Sequence, residues 1–370
     1  MSTKLGCICK FQSGGTPSKS NQDYYNGGIP WVTTTSLNGK QIDARDAVDW
    51  ITEKAIDETA AKIVPANSIM VGTRVGVGKV AVNLVDMSTS QDIISLLDID
   101  DSAWDKDFLC KYIQGKNRFL KSQARGATIK GIKIDVLANL DLPEISIDKQ
   151  RYISTNLDKV NHVIELRKKE LEEFDELIRA RFVELFGSIS NNKFGYEVMT
   201  LQDVCEPIKD GTHQTPTYTE DAVNGYKFLS SKDVTSGKVD WNHLKYIPEG
   251  LHKELYKRIS PRKGDILLAK NGTTGVAAIV DRDDVFDIYV SLALLRPLGM
   301  VTSEYLCSAV NSIETKHQFD SSLKGIGVPN LHLGEIKKTK IVVPPIEEQE
   351  KFAEFVKQVD KSKVVALKAA

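Results

Sequence analysis

Between Gln114 and Lys133 the chain carries Lys116, Arg118, Lys121, Arg125, Lys130 and Lys133 without one Asp or Glu. Cations that no adjacent acid neutralises suit phosphate binding, because each one docked on a nucleic-acid backbone releases condensed counterions. Hydroxyl, amide and imidazole groups gather elsewhere: Thr16 and Ser18 in GGTPSK, then Thr33, Thr34 and Thr35, then Thr212, His213 and Gln214, then Ser230, Ser231 and Lys232. Such groups offer donors and acceptors to base edges, while Lys and Arg fix position on phosphates. Two glycine-rich segments add Arg74 with Lys79 and Lys270 with Asn271, and a later group adds Lys316, His317, Lys324 and Asn330. Together these residues support recognition of a polyanion with discrimination between bases, Arg suiting guanine and Asn or Gln suiting adenine.

Covalent chemistry finds little support. The segment GTRVGVGKV has Thr73 where a phosphate loop needs its first glycine and Val80 where it needs Ser or Thr. Pro344-Pro345 lies between Val343 and Ile346, not in the Asn/Asp-Pro-Pro-aromatic setting that holds a flipped adenine. The six histidines show no H-E-x-x-H spacing, so neither a catalytic residue nor a metal ligand is assigned. Cys7, Cys9, Cys110, Cys205 and Cys307 form no C-x-x-C pair, which argues against disulfides and zinc and for a reducing cytoplasm. Cys9, Cys110, Cys205 and Cys307 lie in apolar segments and read as small buried hydrophobes. With 41% hydrophobic and 27% charged residues the 370-residue chain is expected to be soluble, with two or three cores and no membrane partner. A net charge of −1 requires any DNA-binding charge to be local.

The elements that must position these groups occur twice. LGCICKFQSGGT from Leu5 aligns with LQDVCEPIKDGT from Leu201, pairing Cys9 with Cys205 and Gly15 with Gly211. GIPWVTTTSLNGKQID from Gly28 aligns with GYKFLSSKDVTSGKVD from Gly225, Gly78 with Gly275, FLCKYI with YLCSAV, and GATIKGI with GIGVPNL. Order and spacing persist, which is the mark of a duplicated domain. Both copies close on an apolar-proline step, LPEISIDKQ and VPPIEEQEK, after which the pattern becomes helical. Leu157, Ile164, Leu171, Ile178 and Leu185 recur every seven residues, with Val160 and Phe174 between them: a coiled-coil stripe broken by Arg167 and Arg181. A second helix from about Glu347 carries Phe352, Val356 and Val359.

This layout resembles the specificity subunit of a Type I restriction-modification enzyme, on the strength of the twin openings at Gly15-Thr16 and Gly211-Thr212, the strands at Pro30 and Lys227, the twin closures and the helix after each. The expected fold class is α/β of mixed α+β character, with target recognition domains at 1–145 and 189–345. Coiled-coil helices follow at 146–188 and 346–370, in a pseudo-two-fold arrangement. The second helix is shorter than the resemblance implies. The resemblance further implies double-stranded DNA as ligand, each domain reading half of a bipartite site while the helices set the spacer and dock partner subunits. Two modification subunits would bind S-adenosylmethionine and methylate adenine, restriction subunits would translocate and cut, and this chain would be no enzyme. The alternative is a non-catalytic tandem-repeat scaffold that binds protein or glycan and oligomerises through its helices. It accounts for the repeat and the coil but not for the acid-free basic run.

Overall fold

The structure is a computed structural model and describes residues 3–126, 130–323 and 329–368. The chain divides into two units, Met1–Val163 and Ile164–Ala370. In the first, the apolar runs Ile69–Gly72, Val80–Asn83 and Ile93–Leu97 form strands with hardly an exposed side chain. Continuous apolar runs mark strands covered on both faces. They lie within a five-stranded sheet ordered Lys10–Ser13, Ile93–Leu97, Ile69–Gly72, Val80–Asn83, Gln41–Ile42. Its pairs are antiparallel apart from the last. A four-stranded sheet follows the order Asp49–Ile51, Tyr25–Val32, Met87–Thr89, Ile63–Val64. The helix Lys106–Gly115 begins where the Asp105 carboxylate accepts a hydrogen bond from the Phe108 amide at 2.7 Å, and it turns Phe108, Leu109, Cys110 and Ile113 inward. Such a cap is worth about 1 kcal/mol. Thr3–Lys4 pairs with Asp141–Leu142, tying the start of the domain to its end.

The second unit repeats the plan. A four-stranded sheet runs Lys209–Asp210, Leu292–Leu295, Ile266–Ala269, Ala277–Ile279, and a three-stranded sheet runs Lys245–Ile247, Tyr226–Leu229, Phe286–Ile288. The parallel pairing of Phe228 with Asp287 matches that of Trp31 with Ser88 in the first unit. The helix Ser303–Val310, capped by Thr302, buries Tyr305, Leu306 and Cys307, and Glu197–Thr200 closes on Lys340–Val343. The same order of strands and helices in both units is the structural form of the sequence repeat.

Two long helices follow the domains: Ile147–Phe186, of 40 residues, and Ile346–Lys368, of 23. At about 1.5 Å per residue these are roughly 60 and 35 Å long. Within the second unit they pack side by side, Lys363 Nζ reaching Asp175 Oδ1 at 2.6 Å. Phe352 meets Phe182 and Phe186 with ring centroids 5.5 and 5.4 Å apart. The heptad expectation needs correcting at both ends. Leu157, Val160 and Ile164 are exposed, while Leu171, Phe174, Ile178 and Leu185 are half-buried. Toward the end of this helix the buried apolar positions are Phe182 and Phe186, off the seven-residue stripe, because the helix end enters the domain core instead of continuing a two-helix seam. Arg181, an interruption in the sequence pattern, lies over the Phe355 ring with its guanidinium carbon 6.0 Å from the centroid. Phe352 and Val359 are buried and Val356 half-buried, so the shorter helix keeps its expected inner face.

Candidate nucleic-acid interface

In the first domain the loops at one end of the central strands converge. The Gly72–Val80 turn is closed by the Gly72 amide on the Lys79 carbonyl at 2.8 Å and the Gly78 amide on the Gly72 carbonyl at 2.9 Å. Gly76 and Gly78 have φ of 70° and 81°, a region that side-chain-bearing residues rarely occupy. Thr73 is tied to the neighbouring loop, its amide and hydroxyl both donating to the Asp92 carbonyl, at 2.8 and 3.2 Å. Beside it, Thr16 Oγ1 accepts from the Gln91 amide at 3.4 Å. The basic segment joins from the other side: Arg125 and Gly131 exchange amide-carbonyl bonds at 2.9 and 3.0 Å, and the Ile132 amide donates to the Thr73 carbonyl at 2.8 Å. Gly131 lies against the Arg74 stem, and Asn117 packs against Gly78. Thr16, Ser18, Arg74, Lys116, Arg118, Lys121, Arg125 and Lys130 are exposed. Of these, Arg118, Lys121, Arg125 and Lys130 make no side-chain ion pair among the described residues.

The second domain builds the same cradle. The Ala269 amide donates to the Val276 carbonyl, the Gly275 amide to the Ala269 carbonyl and the Leu331 amide to the Lys270 carbonyl, each at 2.8 Å. Asn271 and Asn330 form a backbone bridge where the first domain has Arg125 and Gly131 near Arg74. Below the opening loop lies a polar cluster. The Asp210 carboxylate, 3% exposed, accepts from Lys270 Nζ at 2.8 Å, and His213 Nε2 and an Arg258 amine each lie 3.3 Å from it. Arg258 also donates to the carbonyls of Asp210 and Gly211 at 3.1 and 3.3 Å. Burial pushes the Asp210 carboxyl up, but the Lys270 ammonium and the His213 imidazole outweigh it and hold it below its ordinary value. His213 and Gln214 stand exposed above this cluster.

Several expectations change. Lys270, 6% exposed and committed to Asp210, supports the loop from beneath instead of meeting a ligand. Thr34 is buried, and its carbonyl accepts from Lys79 Nζ at 3.3 Å, while Lys79 itself stays exposed. Thr33 and Thr35 hydrogen-bond each other at 2.8 Å. Ser230 caps a short turn, its hydroxyl and amide bonded to Asp233, and the Ser231 amide donates to the Ser291 hydroxyl. Lys232 and Lys316 are exposed. His317 lines a cleft of about 1120 Å³ with Ile178, Phe182 and Val356. Lys324 lies outside the described residues. The sequence reading missed Asp210, Arg258, Thr73 and Asp92. Only Asp210 gave a signal, standing directly before the Gly211-Thr212 opening.

Cys110, Cys205 and Cys307 are buried, and burial pushes their thiols up to about 12, far from the thiolate a nucleophile needs. Among the described residues no group of three or more His, Cys, Asp or Glu is placed to hold a metal ion. No helix among them is long and apolar enough to cross a membrane.

The chain is similar to known proteins. The chain is 26% identical over 373 residues to the Type I restriction enzyme MjaIX specificity subunit of Methanocaldococcus jannaschii, covering 95% of this chain and 85% of that protein. It is 29% identical over 196 residues to the EcoR124I/EcoR124II specificity subunit of Escherichia coli, 47% of this chain and 46% of that one. Among solved structures, the S subunit of a Type I system from M. genitalium superposes with a TM-score of 0.53 at 15% identity, covering 100% of this chain and 91% of that one. A structure described as the basis of complex assembly and conformational transition of the Type I R-M system superposes at 0.61 and 17% identity, covering 100% and 92%. These superpositions concern the fold. The family described as the Type I restriction modification DNA specificity domain matches residues 1–175 and again 194–369, so this chain, with its two copies of one recognition domain and a long helix after each, belongs to the Type I restriction-modification specificity subunits.

Proposed function

We propose that each domain reads one half of a bipartite double-stranded DNA site through its converged loops, and that the helices set the spacer and dock two modification subunits. The observation that carries this is the pairing of one backbone cradle with two different sets of side chains. Arg74 stands where the second domain has Asn271, on turns closed by the same hydrogen bonds. A shared scaffold with divergent polar tips is what two different half-sites require. The unpaired cations from Arg118 to Lys130 supply phosphate contacts. Methyl transfer and cleavage belong to the partner subunits, S-adenosylmethionine binds there, and the assembly works in the cytoplasm. Exchanging Thr200 to Val342 for another recognition domain and sequencing the methylated DNA tests the reading. One half-site should change while the other stays; a change in both halves defeats independent reading. Affinity for the site should also fall steeply with salt, whereas a salt-insensitive interaction would favour a protein- or glycan-binding scaffold.

A further inference from the structure

Val75 stands at the tip of the Gly72–Val80 turn, 54% exposed, between Arg74 and Gly76. The turn beneath it is fixed. Besides the two bonds that close its base, the Lys79 amide donates to the Gly76 carbonyl at 3.0 Å, and the Lys79 stem lies along Gly76. A Cβ on Gly72 would come within 2.6 Å of the Gly76 carbonyl oxygen, so the two strands of the turn are pressed together at this point. A β-branched apolar side chain is thereby held in solvent beside Arg74, whose guanidinium lies 3.8 Å from the Asp92 carboxylate. The equivalent position in the second domain is Gly272, which has no side chain to offer. In the major groove, the apolar group on a base edge is the C5 methyl of thymine.

We propose that Val75 packs against a pyrimidine C5 methyl, that of a thymine, in the half-site read by the first domain. The assignment rests on the DNA-reading function proposed above and names one base feature within it. It makes Val75 a specificity-determining residue for one half-site, with no counterpart in the other.

The test uses the complex of the full chain with its modification subunits and a duplex carrying the methylated site. The relevant half is the one that persists when Thr200 to Val342 are exchanged. Each thymine in that half is replaced singly by deoxyuridine, which removes the methyl and nothing else, and in a second series each cytosine is replaced by 5-methylcytosine. One deoxyuridine should weaken binding about fourfold, the value of one buried methyl group. Val75→Gly should bind the thymine and deoxyuridine duplexes equally, and Val75→Ala should show a reduced difference, while discrimination in the second half-site stays intact in both variants. Retained discrimination at the other base pairs of the first half-site shows that the variant domain is folded. The proposal is overturned if the half-site lacks thymine, if no deoxyuridine matters, or if Val75→Gly remains sensitive to it. A gain from 5-methylcytosine with no loss from deoxyuridine transfers the contact to a modified cytosine and overturns the assignment to thymine. A complex that binds all duplexes equally refutes DNA reading itself, a result distinct from sequence-specific binding that ignores the methyl.

Discussion

Thr73 and Lys270 occupy the same place in the two domains, their carbonyls accepting from the Ile132 and Leu331 amides at 2.8 Å in both. Their side chains diverge. Thr73 settles on a neighbouring carbonyl, while Lys270 descends to a buried carboxylate at Asp210, where the first domain has Gly14. The first domain therefore supports its converged loops by backbone bonds and tight glycine packing, and the second by a buried charge cluster. Its charges differ in use as well. Arg118, Lys121 and Arg125 of the first domain are exposed and unpaired among the described residues, whereas Lys270 and Arg258 of the second are turned onto Asp210. Because the backbone bonds are common to both, the side chains beneath the loops can change without moving the loops.

The sharpest way to break this comparison is Lys270→Ala, which leaves the Asp210 charge buried with only partial compensation. A loss of about 3 kcal/mol confined to the second unit is expected, against about 1 kcal/mol in the first unit for Thr73→Ala. Denaturant unfolding followed by hydrogen exchange in each unit reads both, and equal losses would show that the two supports are equivalent. Gly14→Ala comes next. Its added Cβ would lie 2.2 Å from Thr89 Oγ1 and 2.3 Å from the Ser90 carbonyl, so overpacking should cost the first unit about 2 kcal/mol, seen as a lowered melting transition. An unchanged transition would mean that the glycine packing is not tight. Third, Lys121→Ala with Arg125→Ala should weaken binding severalfold for every sequence and flatten the dependence of log affinity on log salt by up to about two. A change at a single base position would assign one of them to base reading instead.

The smallest effect is the response to acid. With its carboxyl held below the ordinary value, Asp210 contributes stability that is present above about pH 4 and lost as pH falls through the lower folded value. The second unit should therefore weaken in acid in a way that Asp210→Asn abolishes. Asp287 acts in the opposite sense: burial raises its carboxyl, with His252 at 2.7 Å pulling back, so its contribution is present below about pH 4 and fades as pH rises through its folded value. Comparing the parent with Asp210→Asn across pH 2 to 6 isolates the Asp210 part. If both unfold with the same pH dependence, the cluster does not stabilise the loop through its charge.

Much of the molecule was legible because its signals are local or periodic. The duplication showed in the order of Cys9, Gly15, Gly78 and Cys110 against their later partners, and the helices in runs of regularly spaced apolar residues. The glycine-rich turns and hydroxyl loops were legible as loops because glycine and short polar side chains favour them. What lay hidden is held together across sequence. Asp210 is 60 residues from Lys270 and 48 from Arg258, and no spacing rule connects them. A lysine at the mouth of a glycine-rich loop looks the same in sequence whether it faces solvent or a buried carboxylate. Likewise the heptad stripe gives a helix face but not the length over which that face is covered: Leu157 lies on it and is exposed, while Phe182 and Phe186 lie off it and are buried.

The Phe182, Phe186, Tyr305 and Phe352 rings, with centroids 4.9 to 5.5 Å apart, also set a timetable for folding. Phe182 precedes the second domain in the chain and Phe352 follows it, so the core between them closes only by a contact of very long sequence separation. Such contacts form late, because chain entropy is lost before they are rewarded. During synthesis the first unit has its closing strand Asp141–Leu142 early, and it can fold while the rest of the chain is still being made. The second unit must hold its aromatic helix end in waiting until the residues around Phe352 have left the ribosome. That interval is when the chain exposes the most apolar surface, and when a chaperone or a partner subunit would have the most to cover.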